Sequence, residues 1–229
     1  MAKIKHVDLS VRVYDTIKKM IISGSLAPGQ KILQEKLARE IGVSRTPLLK
    51  ALQFLEHELL VESIPRRGMF VKKMEPKEII DAFECREGLE GIAARLAARN
   101  ITPKQVQELK DLFVPFAHGN DKIAFDDYLP ADQRFHQLLI SISKNQVISR
   151  IEMLGNVHII CYNRGLIRAP EETLAEHFGI IEALEQGDGA LAEKRAKEHL
   201  LKSRNRIEET FQKNGQSPNT AKPETKKAL

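Results

Sequence analysis

The sequence has no tryptophan and only two cysteines, Cys85 and Cys161, among its 229 residues. Two cysteines this far apart do not form the disulfide framework of a small secreted domain, so we expect a reducing, cytoplasmic environment. No apolar stretch approaches the ~20 residues that a membrane-spanning helix needs. The first residues also lack the apolar region of a signal peptide. These absences argue against a disulfide scaffold and a membrane protein, and we expect no membrane partner.

The composition allows two modest domains with real cores. Apolar residues make up 42% of the chain, and the formal net charge is +5. Lysine and arginine are dense in one region of the first third, while the middle of the chain is more acidic. The mild overall charge therefore indicates a localised basic face.

Residues 35–55 contain two short amphipathic patterns on either side of Gly42. Glycine is favoured just past a helix end, where the backbone turns left-handed. Ser44 is a good N-cap for the second helix, and Pro47 falls in its first turn, where a missing N–H is tolerated. The sequence therefore predicts a helix-turn-helix. The apolar residues of the second helix follow helical spacing: Leu48, Leu52, Leu55 and Leu59.

Two short β-prone runs follow, Val61–Ile64 and Met69–Lys73. The segment Pro65-Arg66-Arg67-Gly68 joins them as a turn with two arginines. A helix-turn-helix followed by such a hairpin is a winged helix. With a first helix from Ser10 to Ser23, the sequence predicts an N-terminal domain of three helices and a small β-hairpin over residues 1–74.

The charges of this domain favour double-stranded DNA. The start of the second helix of a helix-turn-helix reaches base edges and phosphates, and basic wing residues contact the backbone or the minor groove. The alternative is a solvated basic turn beside an ordinary pair of helices. The predicted DNA-binding residues are Ser44, Arg45, Thr46, Lys50, Arg66, Arg67 and Gly68.

From Pro76 onward the sequence is almost entirely helical in pattern, which predicts an all-α bundle over residues 75–213. Proline suits the first turn of a helix, as at Pro76. Residues 214–229 have almost no apolar side chains, and we expect a disordered tail. The fold class is therefore mainly α, a winged helix-turn-helix followed by a helical bundle. The predicted helices of the bundle are 76–99, 103–117, 121–143, 146–167, 171–186 and 189–212.

Several polar residues of the bundle fall on apolar helix faces. Asp132 and His136 are four residues apart and share the face of Leu139, while His177 and His199 lie among apolar residues on later helices. One carboxylate and three imidazoles suit a divalent ion such as zinc, nickel or manganese. The alternative is a set of separate core histidines, each hydrogen-bonded to a neighbour.

Two further residues are candidates for binding a small ligand. Arg86 falls inside an apolar arc, from which a guanidinium can bind a carboxylate in bidentate fashion. Its alternative role is an ion pair with Glu90, four residues later. His158 shares a face with Cys161 and is either a cavity residue or a core histidine. Arg164 and Arg168 are expected to be exposed, with the alternative that either one closes a pocket.

The run from Gly42 to Leu48, the flanking Leu37-Ala38 and Ala51–Leu55, and the Arg66-Arg67-Gly68 turn resemble the GntR family of bacterial transcriptional regulators. The family usually has arginine where this chain has Leu49, so operator sequence does not carry over. The second half resembles the FCD domain of the FadR-type branch, in Arg86–Glu90, Asp132–His136, Glu176–Leu184 and His199-Leu200. That resemblance implies a metal site of Asp132, His136, His177 and His199 at the floor of an effector pocket. Pro130 precedes the Asp132 motif and is unusual there.

One winged helix contacts only a few base pairs, so we expect a homodimer on a palindromic DNA operator. The inward Arg86 predicts a small carboxylate effector, and the regulator is expected to be a repressor, with an activator as the open alternative. The alternative to a regulator is a metal-dependent hydrolytic enzyme with a DNA-targeting module. A catalytic metal needs an open position and a nearby base or nucleophile. The sequence has no such arrangement beside His177 or His199, so we expect a regulator and not an enzyme.

Overall fold

The computed structural model describes residues 9–117, 123–150, 161 and 166–216. The chain divides into two compact units, with the boundary between Met74 and Glu75. The described secondary structure is helical apart from one two-stranded sheet near the end of the first unit, which confirms the predicted fold class. No helix in the described part of the chain is long and apolar enough to cross a membrane.

The described part of the first unit contains three helices and a hairpin, as predicted. Helix α1 buries Val13, Ile17 and Ile21 on one face and packs against α3 through this stripe. On α3, Leu48 and Leu52 are fully buried, so the two amphipathic faces form the core of the unit. The elements are α1 (Leu9–Ile22), α2 (Gln34–Glu40), α3 (Arg45–His57), β1 (Val61–Ile64) and β2 (Gly68–Val71).

The turn between α2 and α3 contains Gly42 at φ +70°, which confirms the predicted left-handed position. Ser44 occupies the N-cap position of α3, but its side chain makes no capping hydrogen bond, so that part of the prediction is wrong. A capping side chain accepts from the second or third N–H of the helix, and the third residue here is Pro47, which has none.

The hairpin is antiparallel, with Val61 opposite Val71 and Ile64 opposite Gly68. Strand β2 runs from Gly68 to Val71, although the sequence predicted Met69–Lys73. It ends earlier than predicted because Val71 is the partner of Val61, the first residue of β1. At the turn, Arg66 has a φ of +62°, which a non-glycine residue seldom adopts.

The second unit is a bundle dominated by two long helices, α4 and α9, which pack along each other. The core includes Phe113, Phe135 and Leu139, all essentially inaccessible to solvent. The helices are α4 (Pro76–Asn100), α5 (Pro103–Phe113), α6 (Phe125–Ile142), α7 (Gln146–Arg150), α8 (Pro170–Glu185) and α9 (Gly189–Lys213).

Local sequence signals set several helix ends. Glu75 and Glu78 form a capping box at the start of α4, with Pro76 in its first turn. Helix α5 ends at Phe113 and continues as the 3-10 turn Val114–Phe116, so the helix predicted over 103–117 changes type near its end. Pro130 lies within the second turn of α6 and does not end that helix.

Some predictions fall on residues that the structure does not describe. These are most of the predicted helix 146–167, His158, Arg164, and residues 217–229 of the predicted tail. The two cysteines differ in environment: Cys161 is buried, whereas Cys85 is exposed.

Candidate functional site

Three imidazoles meet in the interior of the second unit. His136 on α6, His177 on α8 and His199 on α9 each offer a ligand atom, and these atoms lie within 4.8 Å of one another. All three side chains are buried. The sequence therefore predicted correctly that these residues face inward, and the fold brings three distant helices to one point.

Asp132 borders this cluster, one helical turn before His136. Its Oδ1 atom is 3.3 Å from Nε2 of His177, and its Oδ2 atom is 3.9 Å from Nε2 of His136. Its carboxylate is therefore directed at the same ring nitrogens that a metal ion would use. The structure thus brings together all four residues that the sequence analysis proposed as metal ligands.

Each histidine is oriented through its other ring nitrogen. Nδ1 of His177 is 2.9 Å from the hydroxyl of Tyr128, which in turn lies 3.1 Å from the hydroxyl of Thr173. Thr173 also reaches the carbonyl oxygen of Pro170, at 3.2 Å. Thr173 donates to the hydroxyl oxygen of Tyr128, and the same oxygen can accept from Nδ1 of His177; in that tautomer Nε2 is the ring nitrogen of His177 that carries the acceptor lone pair. Burial raises the pKa of Tyr128 well above its usual range, so its hydroxyl is neutral.

His136 is oriented by a buried carboxylate. Its Nδ1 atom is 2.5 Å from Oε2 of Glu90, and Oε1 of Glu90 accepts a hydrogen bond of 2.6 Å from Nε of Arg86. Burial by itself would raise the pKa of Glu90, but the charges of Arg86 and His136 outweigh it and hold the pKa far below its usual range. Glu90 is therefore an ionised acceptor shared by two cationic or hydrogen-bonding partners.

His199 has an equivalent arrangement on the other side. Its Nδ1 atom is 2.8 Å from Oε2 of Glu176. Arg168 donates to both oxygens of Glu176, at 2.8 and 3.0 Å, and Lys202 adds a third contact at 2.8 Å. Burial lowers the pKa of His199, and the hydrogen bond to Glu176 opposes this only in part. His199 is thus neutral near pH 7, as a metal ligand must be.

A small cavity of about 20 Å³ lies beside the cluster. Arg168 contributes a guanidinium to its wall and is buried, so the expectation of an exposed side chain was wrong and its position matches the alternative that it closes a pocket. Such a volume holds about one water molecule. The residues lining the cavity are Tyr128, Leu129, Asp132, Ile167, Arg168, Thr173, His199 and Ser203.

The structure places Arg86 in a buried ion pair and not at a ligand-binding wall. It is almost completely buried and bound to Glu90, and it does not line the cavity found in the described residues. This is the ion pair that the sequence left open as the alternative. Sequence reasoning named Glu90 only as a partner of Arg86 and missed its contact with His136. It also missed Glu176, Tyr128 and Thr173. The one available signal was the spacing of Glu90 four residues after Arg86.

The predicted DNA-binding residues lie on the surface of the first unit. The side chains at the start of α3 are solvent-exposed, and so is the turn of the hairpin. Exposed hydroxyl and cationic groups at the start of the second helix fit the contacts that such a helix makes to bases and phosphates. The exposed residues are Ser44, Arg45, Thr46, Lys50, Arg66, Arg67 and Gly68.

Helix α3 exposes polar and cationic side chains at its start, and a basic hairpin follows it in the chain. This combination is that of a winged-helix DNA-binding protein. Residues 9–71 match the model of the bacterial regulatory proteins, gntR family, and residues 81–202 match the FCD domain. The chain belongs to the GntR family, and it is a transcriptional regulator that carries an FCD domain.

Relatives agree along most of the chain. A regulator described as an uncharacterized HTH-type transcriptional regulator in an unstable DNA locus of Streptomyces ambofaciens is 30% identical, over 82% of this chain and 80% of its own length. A probable D-xylose utilization operon transcriptional repressor from Paenarthrobacter nicotinovorans is also 30% identical, over 86% and 88%. The solved structure of Escherichia coli McbR/YncC is similar in fold, with a TM-score of 0.73 at 21% identity, covering 90% of this chain and all of that one.

Proposed function

We propose that this regulator binds a divalent metal ion in its FCD domain and responds to a small carboxylate that binds beside the ion. The observation that carries this proposal is the convergence of His136, His177 and His199, whose ligand atoms lie within 4.8 Å of one another. Asp132 supplies an oxygen ligand next to them. Each histidine has its Nδ1 engaged, so Nε2 is the nitrogen directed to the ion.

The donor set fits a borderline ion. Three neutral imidazoles and one carboxylate suit zinc, nickel or manganese, and the surrounding hydrogen bonds match those that orient metal-bound histidines in other proteins. A bound ion supplies positive charge in the interior and a place for the oxygen atoms of an anion. Glu90, Glu176 and Tyr128 fix the orientation of the three imidazole rings, so the ligand nitrogens are already in position for the ion.

The effector position that we propose is the cavity lined by Asp132, His199 and Arg168. Arg168 brings a guanidinium to the cavity wall, but it already donates to both oxygens of Glu176, so an incoming carboxylate would have to replace part of that pairing. The hydroxyls of Thr173 and Ser203 also line the cavity and would have to exchange their present hydrogen bonds in the same way. Because the cavity has only about 20 Å³, an organic acid enters only if neighbouring side chains move. We therefore assign carboxylate contact to Arg168 and give Arg86 the role of holding Glu90. A ligand contact by His158 stays a prediction.

For DNA we propose a homodimer that binds a short palindromic operator. A single winged helix contacts only a few base pairs, and a two-fold dimer doubles the site. Arg45 and Lys50 on α3 would contact the major groove, and Arg66 and Arg67 the backbone or minor groove. The D-xylose relative is named a repressor, and we propose repression here as well.

Effector and operator bind different units in this proposal, so each must bias one shared equilibrium of the dimer. The chain is then a binding protein and not an enzyme, in keeping with relatives that are named as transcriptional regulators. A carboxylate that changes DNA affinity while its concentration stays constant supports this reading. Steady consumption of the carboxylate by the purified protein would favour the metal-dependent hydrolase instead.

The decisive experiment combines metal analysis with a stability screen. Gently purified protein is analysed for bound elements, and the metal-loaded form is heated in the presence of a panel of small organic acids. A ligand that binds the native state raises the melting temperature by mass action. The proposal fails if the protein contains no transition metal and added zinc, nickel or manganese leaves the melting temperature unchanged. The His177→Ala variant is the control, and it should lose the metal response while retaining DNA binding.

A further inference from the structure

A third segment, residues 29–32 before α2, is hydrogen-bonded to the hairpin of the first unit. The N–H of Gly29 donates to the carbonyl of Val71 at 2.9 Å, and the N–H of Val71 donates to the carbonyl of Gln30 at 2.9 Å. The N–H of Ile32 donates to the carbonyl of Met69 at 2.8 Å. These bonds bring Lys31 opposite Phe70 in an isolated antiparallel bridge. A residue far from the hairpin in sequence is thereby fixed to it.

Residues opposite each other in an antiparallel pair have side chains on the same face. Nζ of Lys31 lies 5.9 Å from the centre of the Phe70 ring, and Cζ of Arg67 lies 5.5 Å from the same centre. The side chain of Lys31 also lies close to Gly68: a Cβ atom added to Gly68 would be 3.6 Å from Cε of Lys31. One aromatic ring therefore supports two cations beside the hairpin turn.

These two cations are not neutralised within the described residues. Neither Lys31 nor Arg67 takes part in an ion pair there, and both are solvent-exposed. Lys72 on the same hairpin differs, since its Nζ lies 3.5 Å from a carboxylate oxygen of Glu62. A lysine or arginine held over a ring keeps its full charge and loses less conformational freedom on binding than a freely moving one.

We propose that Lys31 is a DNA-contacting residue, binding a backbone phosphate together with Arg67 from the surface of Phe70. The proposed partner is the phosphate backbone of double-stranded DNA. The Phe70 ring beside the two cations has no hydrogen-bonding group with which to recognise a base, whereas the cations themselves suit phosphate oxygens. Lys31 lies outside both the helix-turn-helix and the hairpin, so neither motif includes it. This assignment rests on the DNA-binding function of the family.

The test is the salt dependence of binding to a mixed-sequence duplex, which needs no knowledge of the operator. Full-length protein is titrated against labelled duplex over a range of salt concentrations. Each phosphate contact contributes about 0.9 to the slope of log K against log salt. Lys31→Gln should reduce the slope by about that amount. Lys19→Gln, which removes the same charge from an exposed position on α1, should leave the slope near the wild-type value.

A second variant tests the role of the ring. Phe70→Leu keeps an apolar side chain but removes the aromatic face, so it should weaken duplex binding several-fold while both cations remain. Thermal melting confirms that each variant is folded before its affinity is measured. Equal slopes for wild type and Lys31→Gln, or an equal loss in Lys19→Gln, overturn the proposal. A wild-type protein that binds no duplex even at low salt overturns DNA binding itself, which separates the two failures.

Discussion

Nδ1 of His136 and Oε2 of Glu90 are 2.5 Å apart, both buried, and the other oxygen of Glu90 is bound to Arg86. His199 repeats this pattern with Glu176 and Arg168. In both cases a carboxylate lies between an imidazole and a guanidinium. His136 and His199 are thus each held through Nδ1 by a charged partner, and the predictions below begin with these partners.

Glu90→Gln should lower both the stability of the protein and its affinity for metal. The amide cannot balance the buried charge of Arg86, and breaking a buried pair in this way costs about 3–5 kcal/mol. Loss of an outer partner of a metal-bound histidine typically weakens metal binding by about 10–100-fold. Denaturant unfolding and zinc titration measure the two effects. The matched control is Glu84→Gln on the exposed part of α4, which should change neither quantity by much.

Tyr128→Phe should weaken metal binding with little effect on the fold. The ring remains packed against Phe113, whose centroid is 5.7 Å away, but the hydroxyl that fixes the ring of His177 is lost. We expect about a 10-fold rise in the dissociation constant for zinc. Thr173→Val, which removes the hydroxyl that donates to Tyr128, should have a smaller effect in the same direction. Unchanged zinc affinity in both variants would show that His177 is oriented by other contacts.

The metal-free protein should lose stability in two steps as the pH falls. The pKa of His199 is lowered by burial from its usual 6.5, so the unfolded chain takes up a proton first, and stability decreases as the pH drops below about 6.5. The pKa values of Glu90 and Glu176 are also lowered from 4.5, so a second decrease begins below about 4.5. Melting curves in the presence of a chelator measure both steps. His199→Gln should abolish the contribution of His199 to the first step and leave the second.

Arg45→Ala should reduce specific DNA binding by about 1–3 kcal/mol if the side chain binds a base edge. Arg67→Ala should instead weaken binding to all sequences and flatten the salt dependence. Competition between an operator duplex and random duplex distinguishes the two. Gln53→Ala, an exposed position further along α3, is the control and should behave as wild type. Equal wild-type affinity for operator and random DNA at moderate salt would contradict the operator prediction.

Arg66→Gly should separate stability from DNA binding at the hairpin turn. Arg66 has a φ of +62°, a conformation that costs a non-glycine residue about 1 kcal/mol or more. Glycine relieves this strain, so the melting temperature should be equal to or above that of wild type. The same substitution removes a cation, and affinity for any duplex should fall. A clear drop in melting temperature would mean that the arginine side chain itself stabilises the turn.

The parts of the molecule governed by local signals could be predicted from the sequence. Gly42, Pro76 and the apolar spacing of α1 and α3 act over one or two helical turns, so helix ends near them fall close to the expected positions. Inward-facing polar residues such as Asp132 and His136 were found by the same periodicity.

Contacts between distant segments were not predictable in this way. Glu176 lies beside His177 in sequence but serves His199 on another helix, and Tyr128 reaches His177 across the bundle. Lys31 reaches Phe70 only because residues 29–32 join the hairpin. The failed cap at Ser44 shows a further limit, since the two local signals there, serine and Pro47, work against each other.

The three histidines belong to three different helices, and this has a kinetic consequence. The three histidines are far apart in the sequence, so their nitrogens meet only after long segments of the chain have closed into loops. An unfolded chain therefore presents isolated imidazoles to a metal ion. An ion bound by all three residues therefore stabilises the folded state and not the path toward it. Its effect is to slow unfolding, leaving the refolding rate nearly unchanged. In a cell, the metal would then act on the lifetime of the regulator once it has been made.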